Sequence, residues 1–224
     1  MTRSSLTRNG FALAVVAGLI ATSCGSDIAP KQGVGATSTE LEAIRGNLAA
    51  TYSAEEAFSF QNLEELSKRS AVSMVVTIEK IEPGPAEIMA ELADGQVVVN
   101  ETLAITLSDN DGNRHQLIQD YGEAFGFDSV ASEFPIGATA VLFGVPYTLP
   151  ENRRTPDEFD RSDSVMWQLA HPLAFLVLSK EKALIPIFSE YNSAPKASIA
   201  ADIDYLRTIG LEAAEIRWPE VAHG

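Results

Sequence analysis

The chain has 224 residues, 46% of them hydrophobic, with 31 Asp and Glu against 16 Lys and Arg and a formal charge of −15 at pH 7. The composition is globular, not disordered. Its acidity excludes nucleic acid, and argues against anionic lipid headgroups, because such partners are held by clusters of Lys and Arg.

The first 23 residues read as a secretory signal: Arg3 and Arg8, an apolar run over residues 11–20, then the small residues Ala21, Thr22 and Ser23. The run is about a dozen residues, where a spanning helix needs roughly twenty. Without the leader's two arginines, 14 basic residues face 31 acidic ones, a charge of −17. Two kinds of processing compete at its end. Ala21 and Ser23 satisfy an ordinary signal peptidase, whose cut before Cys24 leaves a soluble secreted protein. Residues 21–24 also resemble the bacterial lipobox, with Ala21 where Leu, Val or Ile is commoner, and that resemblance implies a diacylglycerol on the Cys24 sulfur and an acylated N-terminus. Cys24 is the only cysteine, and a lone thiol in an oxidising compartment is accounted for when a lipid consumes it. A lipid-modified cysteine supplies the two chains that stable anchoring takes. The expectation is therefore a lipoprotein on the extracytoplasmic face of a bacterial membrane. Residues 24–38 form its tether, a Gly/Ser-like coil with an end-to-end distance of roughly 20 Å.

Residues 39–211 are expected to form one domain, with 212–224 as a tail. Thr39 and Glu42 have capping-box spacing, and Leu41, Ile44 and Leu48 share a helical face. Asn62 and Glu65 repeat the signal, with Leu63 and Leu66 inward and an end near Ser70. Residues 71–81 alternate apolar and polar with β-branched residues and read as a strand closed by Pro83-Gly84-Pro85. Residues 86–94 form a short helix or a surface excursion. Residues 97–107 are a second strand, and Asp111-Gly112 turns it into a returning strand over 114–119. Residues 120–133 read as a loop. Residues 136–143 are a strand apolar enough to be buried on both faces. A polar loop over 148–164 exceeds ordinary loop length, which associates it with function or mobility.

Three further strands fall at 165–170, 173–179 and 184–188, with Lys180-Glu181-Lys182 turning the last hairpin. Ile199, Ile203, Leu206 and Ile209 line a final helix closed by Gly210 and Leu211. Short hairpins without regular strand–helix alternation predict a mainly β, α+β architecture: a small antiparallel β-barrel or sandwich flanked by N- and C-terminal helices.

Leu63-Glu64-Glu65-Leu66, then Ser70 and the strand from Val72, then Phe134-Pro135-Ile136-Gly137 and the hairpin over 173–188 resemble a group of uncharacterised secreted actinobacterial lipoproteins. The resemblance spans residues 62–210. It implies a compact barrel of the oligonucleotide/oligosaccharide-binding (OB) or metalloprotease-inhibitor-like kind, and carries no catalytic residue.

Asp109, Asp111, Asn113 and Asp120 match ligand positions of a calcium loop, but Arg114 stands where the sharp turn needs glycine, so a hairpin turn is the better reading. His115, His171 and His223 form no HExxH or i, i+4 pair, and no metal or cofactor is expected. No Gly-x-Ser-x-Gly elbow occurs, and Cys24 precedes the fold. The candidate partner-binding residues are Arg153, Arg154, Asp157, Glu158, Asp160, Arg161 and Asp163, clustered charges of both signs in the polar loop. Trp167 follows as a core residue, or as a stacking platform beside Tyr147 if its ring is exposed. The favoured function is a non-enzymatic, lipid-anchored domain that binds a protein or cell-envelope partner. A hydrolase without a recognisable motif and a protease-inhibitor-like domain are the alternatives.

Overall fold

The computed structural model describes residues 35–47, 49–50, 60–120, 126–149, 151, 153–154, 159, 164–190 and 203–219. The first helix, α1 (Ser38–Asn47), starts two residues earlier than the Thr39–Glu42 spacing suggests. Its capping box is Thr37 with Glu40. The Glu40 backbone N–H donates to Thr37 Oγ1 at 3.2 Å, and Thr37 N–H donates to Glu40 Oε2 at 2.7 Å. A two-residue strand, β1 (Ala49–Ala50), follows. Helix α2 (Leu63–Arg69) is capped as its sequence predicts: Asn62 Oδ1 accepts from Glu65 N–H at 2.9 Å, and Leu63 and Leu66 are buried. The Glu65 carboxylate reaches one residue further back, to Gln61 N–H.

The remaining elements, in chain order, are β2 (Val72–Pro83), β3 (Ala86–Glu91), β4 (Val97–Asn100), β5 (Thr102–Asp109) and β6 (Arg114–Asp120). Helix α3 (Phe127–Glu133) comes next, then β7 (Thr139–Pro146), β8 (Arg153–Arg154), β9 (Val165–Leu169), β10 (Phe175–Leu178), β11 (Ala183–Pro186) and β12 (Ser189–Glu190). Helix α4 (Ile203–Thr208) and β13 (Glu215–Ile216) complete the described chain.

Five strands close on themselves. β7 pairs with β2, β2 with β5, β5 with β6, β6 with β9, and β9 returns to β7. Every contact is antiparallel except β6–β9, which is parallel. Numbered along the chain, the ring runs 1-2-3-5-4-1 with α3 between its third and fourth strands. That is the connectivity of an OB-type barrel. Beyond β7 the sheet continues through β10, β11 and β13, and β1 pairs with β12 apart from it. The fold is mainly β, a small closed barrel with a few helices, as the patterning predicts.

The core fills the barrel and the space under the helices. Ile78, Leu103, Ile105, Leu107, Leu117, Leu142 and Phe143 are fully buried. β7 is buried on both faces, as its unbroken apolar run predicts. Tyr205 of α4 stacks on Phe143 with ring centroids 6.2 Å apart. Helix α4 ends as the sequence implies. Gly210 has φ +82°, its N–H donates to Arg207 O, and Leu211 N–H donates to Leu206 O, the two bonds of a Schellman motif.

Four readings are corrected. Residues 86–91, rich in helix formers, form β3. The single strand expected over 97–107 breaks at Glu101 into β4 and β5, which belong to different sheets. The expected loop over 120–133 contains α3, anchored by Val130 and Phe134. Glu215 and Ile216, beyond the expected boundary at 211, pair in parallel with β11, and Trp218 packs against the core.

Candidate functional site

The break at Glu101 has a partner across the hairpin. β2 pairs with β5 up to Pro83↔Leu103, and the chain then bends at Gly84 and Pro85 before β3 begins. Gly84 N–H donates to Thr102 O at 2.8 Å, and Thr102 Oγ1 donates to Pro85 O at 3.1 Å. No side chain fits at residue 84 unless Thr102 moves, because a Cβ there would lie 2.2 Å from Thr102 Oγ1. Past this bend the two strands leave the barrel as an arm, the β3–β4 hairpin, with a bulge between Ile88 and Ala90. β8, from the connection between β7 and β9, adds to the arm through Ala86↔Arg154 and Glu87↔Arg153. The result is a three-stranded sheet in the order β4-β3-β8.

In an OB-type barrel, the loop between the first two strands and the loop between the last two border the ligand-binding face. Here those two loops hydrogen-bond to each other. Phe159 of the polar loop, 8% exposed, packs on the outer face of the barrel with Ala104 of β5 and Ile118 of β6, joined by Tyr147 and Met166. Thr106, on the same outer side of β5 as Ala104, has a buried hydroxyl with no hydrogen-bond partner among the described residues. The face that such barrels commonly offer is covered by the chain itself.

The arm is the opposite. Met89 is 61% exposed, Leu92 47%, Val97 42% and Val98 41%. Among the described residues these are four of the five large apolar side chains most open to solvent; Val165, at the start of β9, is the fifth. At the arm's root, burial holds the Asp120 carboxyl above its usual range. The Glu87 charge adds to this, and a hydrogen bond from Asn100 opposes it.

The sequence-derived candidates divide three ways. Arg153 and Arg154 form β8 and bring the polar loop to the arm. Asp157, Glu158, Asp160, Arg161 and Asp163, like Cys24 and His223, lie outside the described residues. Trp167 is turned inward at 9% exposure, and its indole N–H donates to His115 Nδ1 at 3.2 Å, so it is a core residue and no stacking platform.

The hairpin residues do structural work. Asp109 Oδ1 accepts from the N–H groups of Asp111 and Asn113, and its Oδ2 accepts from Asn113 Nδ2. His115 Nε2 lies 3.1 Å from the same Oδ2. These bonds, Asn113 and then His115 first among them, hold the Asp109 carboxyl well below the usual range. An indole N–H only donates, so His115 Nδ1 accepts from Trp167 and Nε2 carries the proton given to Asp109. Both ring nitrogens are therefore engaged in hydrogen bonds within the fold. His171 is buried against Phe60 with ring centroids 4.9 Å apart; its Nδ1 accepts from Leu173 N–H, and burial pushes its pKa down to about 4.

Residues 86–94 carry good helix formers, so in sequence they read as a short helix or a surface excursion and are not paired with the strand that follows. The signal was present in Val97-Val98-Val99, a β-branched run one residue after Asp94-Gly95. No family model, curated protein or solved structure matches the chain, so the assignment rests on this geometry.

Proposed function

We propose that the protein is a non-enzymatic, lipid-anchored extracytoplasmic binding domain, and that its contact surface is the β4-β3-β8 sheet. The observation that carries this reading is the arm: a hairpin held at a fixed bend, braced by β8, with Met89, Leu92, Val97 and Val98 open to solvent. Apolar side chains gathered on a projecting element mark interaction sites more often than singly scattered ones. The engaged nitrogens of His115 and the burial of His171 favour binding over acid–base catalysis. The anchor rests on Cys24, the leader before it and the Gly/Ser-rich residues after it.

Two measurements test the two halves. Mass spectrometry of the membrane fraction should find an acylated N-terminal Cys24, and Cys24→Ala should release the protein; a soluble wild type with a free thiol refutes the anchor. For the surface, residues 89–97 are replaced by Asn-Gly and folding is checked by near-ultraviolet circular dichroism. Affinity capture from the native cell envelope then compares this variant with the intact chain. Loss of the retained partners supports the arm, and an unchanged partner set refutes it.

A further inference from the structure

The arm carries more information than its exposure. β4 lies at one end of the order β4-β3-β8, so among the described residues nothing pairs with its outer side. Leu92 N–H donates to Gln96 O at 2.7 Å, which places a ladder bond at Gln96. By the alternation of an antiparallel pair, Val98 also faces β3, and the N–H and C=O groups of Val97 and Val99 point outward. Among the devices that blunt natural edge strands are short length, bulges, lysine and proline. β4 is four residues long and pairs across the bulge at Ile88–Ala90, so the last two decide. β4 has neither: it is Val97-Val98-Val99-Asn100.

Charge selects among possible occupants. Residues 83–113 contain Glu87, Glu91, Asp94, Glu101, Asp109 and Asp111 and no Lys, Arg or His; the cations of the sheet, Arg153 and Arg154, are on β8, at the edge away from β4. A second copy of the chain would bring two equally acidic arms together and supply no cation to either. A bilayer surface is disfavoured too, because the same stretch has no Trp, Tyr or Phe to sit at the headgroup level and no cation for anionic lipid. An extended segment with lysine or arginine alternating with apolar residues meets both features at once. Its backbone completes the ladder, its apolar side chains cover Val98 and Met89, and its cations face the arm's carboxylates.

We infer that β4 is a strand-addition site, which takes an extended basic–apolar segment of a partner protein as the fourth strand of the β4-β3-β8 sheet. This rests on the arm being the contact surface and names how that surface is used.

The probe is an acetylated, amidated eight-residue peptide alternating lysine and valine, labelled for fluorescence anisotropy and titrated with the intact purified chain. A glutamate–valine peptide and a lysine–valine peptide N-methylated on alternate residues serve as comparisons. The lysine peptide should bind at least tenfold more tightly than either. Val97→Pro removes an outward donor without touching the β3–β4 ladder, and should weaken binding at least tenfold. The pair Glu91→Lys with Asp94→Lys leaves the backbone edge intact and should shift preference toward the glutamate peptide. Equal binding of the N-methylated peptide, or undiminished binding to folded Val97→Pro, overturns strand addition. So does binding to phosphatidylglycerol vesicles in place of the peptide, or concentration-dependent dimerisation that Val97→Pro abolishes. If the peptide fails while envelope capture still depends on residues 89–97, the strand-addition mode is wrong and the contact surface stands. If both fail, the surface itself is wrong.

Discussion

Gly84→Ala tests the bend that sets the arm. A Cβ at residue 84 would lie 2.2 Å from Thr102 Oγ1, 3.1 Å from the Leu103 carbonyl carbon and 3.2 Å from Ala104 N. The first distance is impossible, so Thr102 must leave its rotamer and surrender the bond from its Oγ1 to Pro85 O. Overpacking of this kind costs about 1–3 kcal/mol, and the lost hydrogen bond about 1 kcal/mol more. Restricting the unfolded chain returns about 0.4–1 kcal/mol. The net loss is about 1–3.5 kcal/mol, each kcal/mol lowering Tm by roughly 2–4 °C for a domain of this size. Urea unfolding followed by tryptophan fluorescence reads it as a lower midpoint at unchanged slope. Thr102→Ala relieves the clash, so in the double variant the second substitution should cost less than it does alone. The coupling should be about 1 kcal/mol, the order of contacting pairs. If Gly84→Ala is as stable as the wild type, or if Thr102→Ala gives no rescue, the packing account of the bend is wrong.

Gly210→Ala should cost about 1–2 kcal/mol by forcing a Cβ into the left-handed C-terminal position of α4, read as a lower Tm. Glu181 accepts from the N–H and Oγ of Ser38, both at 2.8 Å, and these bonds lower its pKa to about 2. Its folded pKa lies below the unfolded value, so its contribution is full above about pH 4.5 and is lost as pH falls toward 2. Thermal melts should therefore show wild type and Glu181→Gln converging through that window. His171 is held neutral by burial, with a pKa of about 4 against 6.5 unfolded. The unfolded chain binds the extra proton first, so stability should fall as pH drops from 6.5 to 4. His171→Gln should flatten the dependence of Tm on pH over that range.

Local signals were the readable part of this sequence. The Asn62 cap, the Asp109–Gly112 turn and the Gly210–Leu211 closure each depend on residues within one turn of each other, and each stands where its spacing puts it. The correction at residues 86–91 depends on distant partners, whereas those at α1 and α3 are local. Residues 86–91 are strand because β4 and β8 supply pairing on both sides, and β8 arrives from about 65 residues further on. Helix α3 lacked a side-chain cap, since Gly126 stands at that position. Its signal was the spacing of Phe127, Val130 and Phe134, one helical stripe hidden in an aromatic-rich stretch. The ring closes through a parallel contact between β6 and β9, chain segments with no local relation. The charges of the polar loop drew notice to residues 153–163, but the apolar surface they adjoin lies on the arm, which only the β3–β8 pairing brings beside them.

The clamp at Ser38 has a mechanical meaning. The chain ahead of α1 enters the fold where Glu181 grips Ser38 and where Lys180 N–H donates to Ala36 O, both on the turn between β10 and β11. These strands extend the sheet beyond β7 and are not staves of the closed ring. Any pull on the N-terminal segment is therefore borne first by that appended hairpin and the α1 contacts. The ring and the β4-β3-β8 sheet lie further along the load path, so a pull at residue 35 reaches them only through that hairpin and α1.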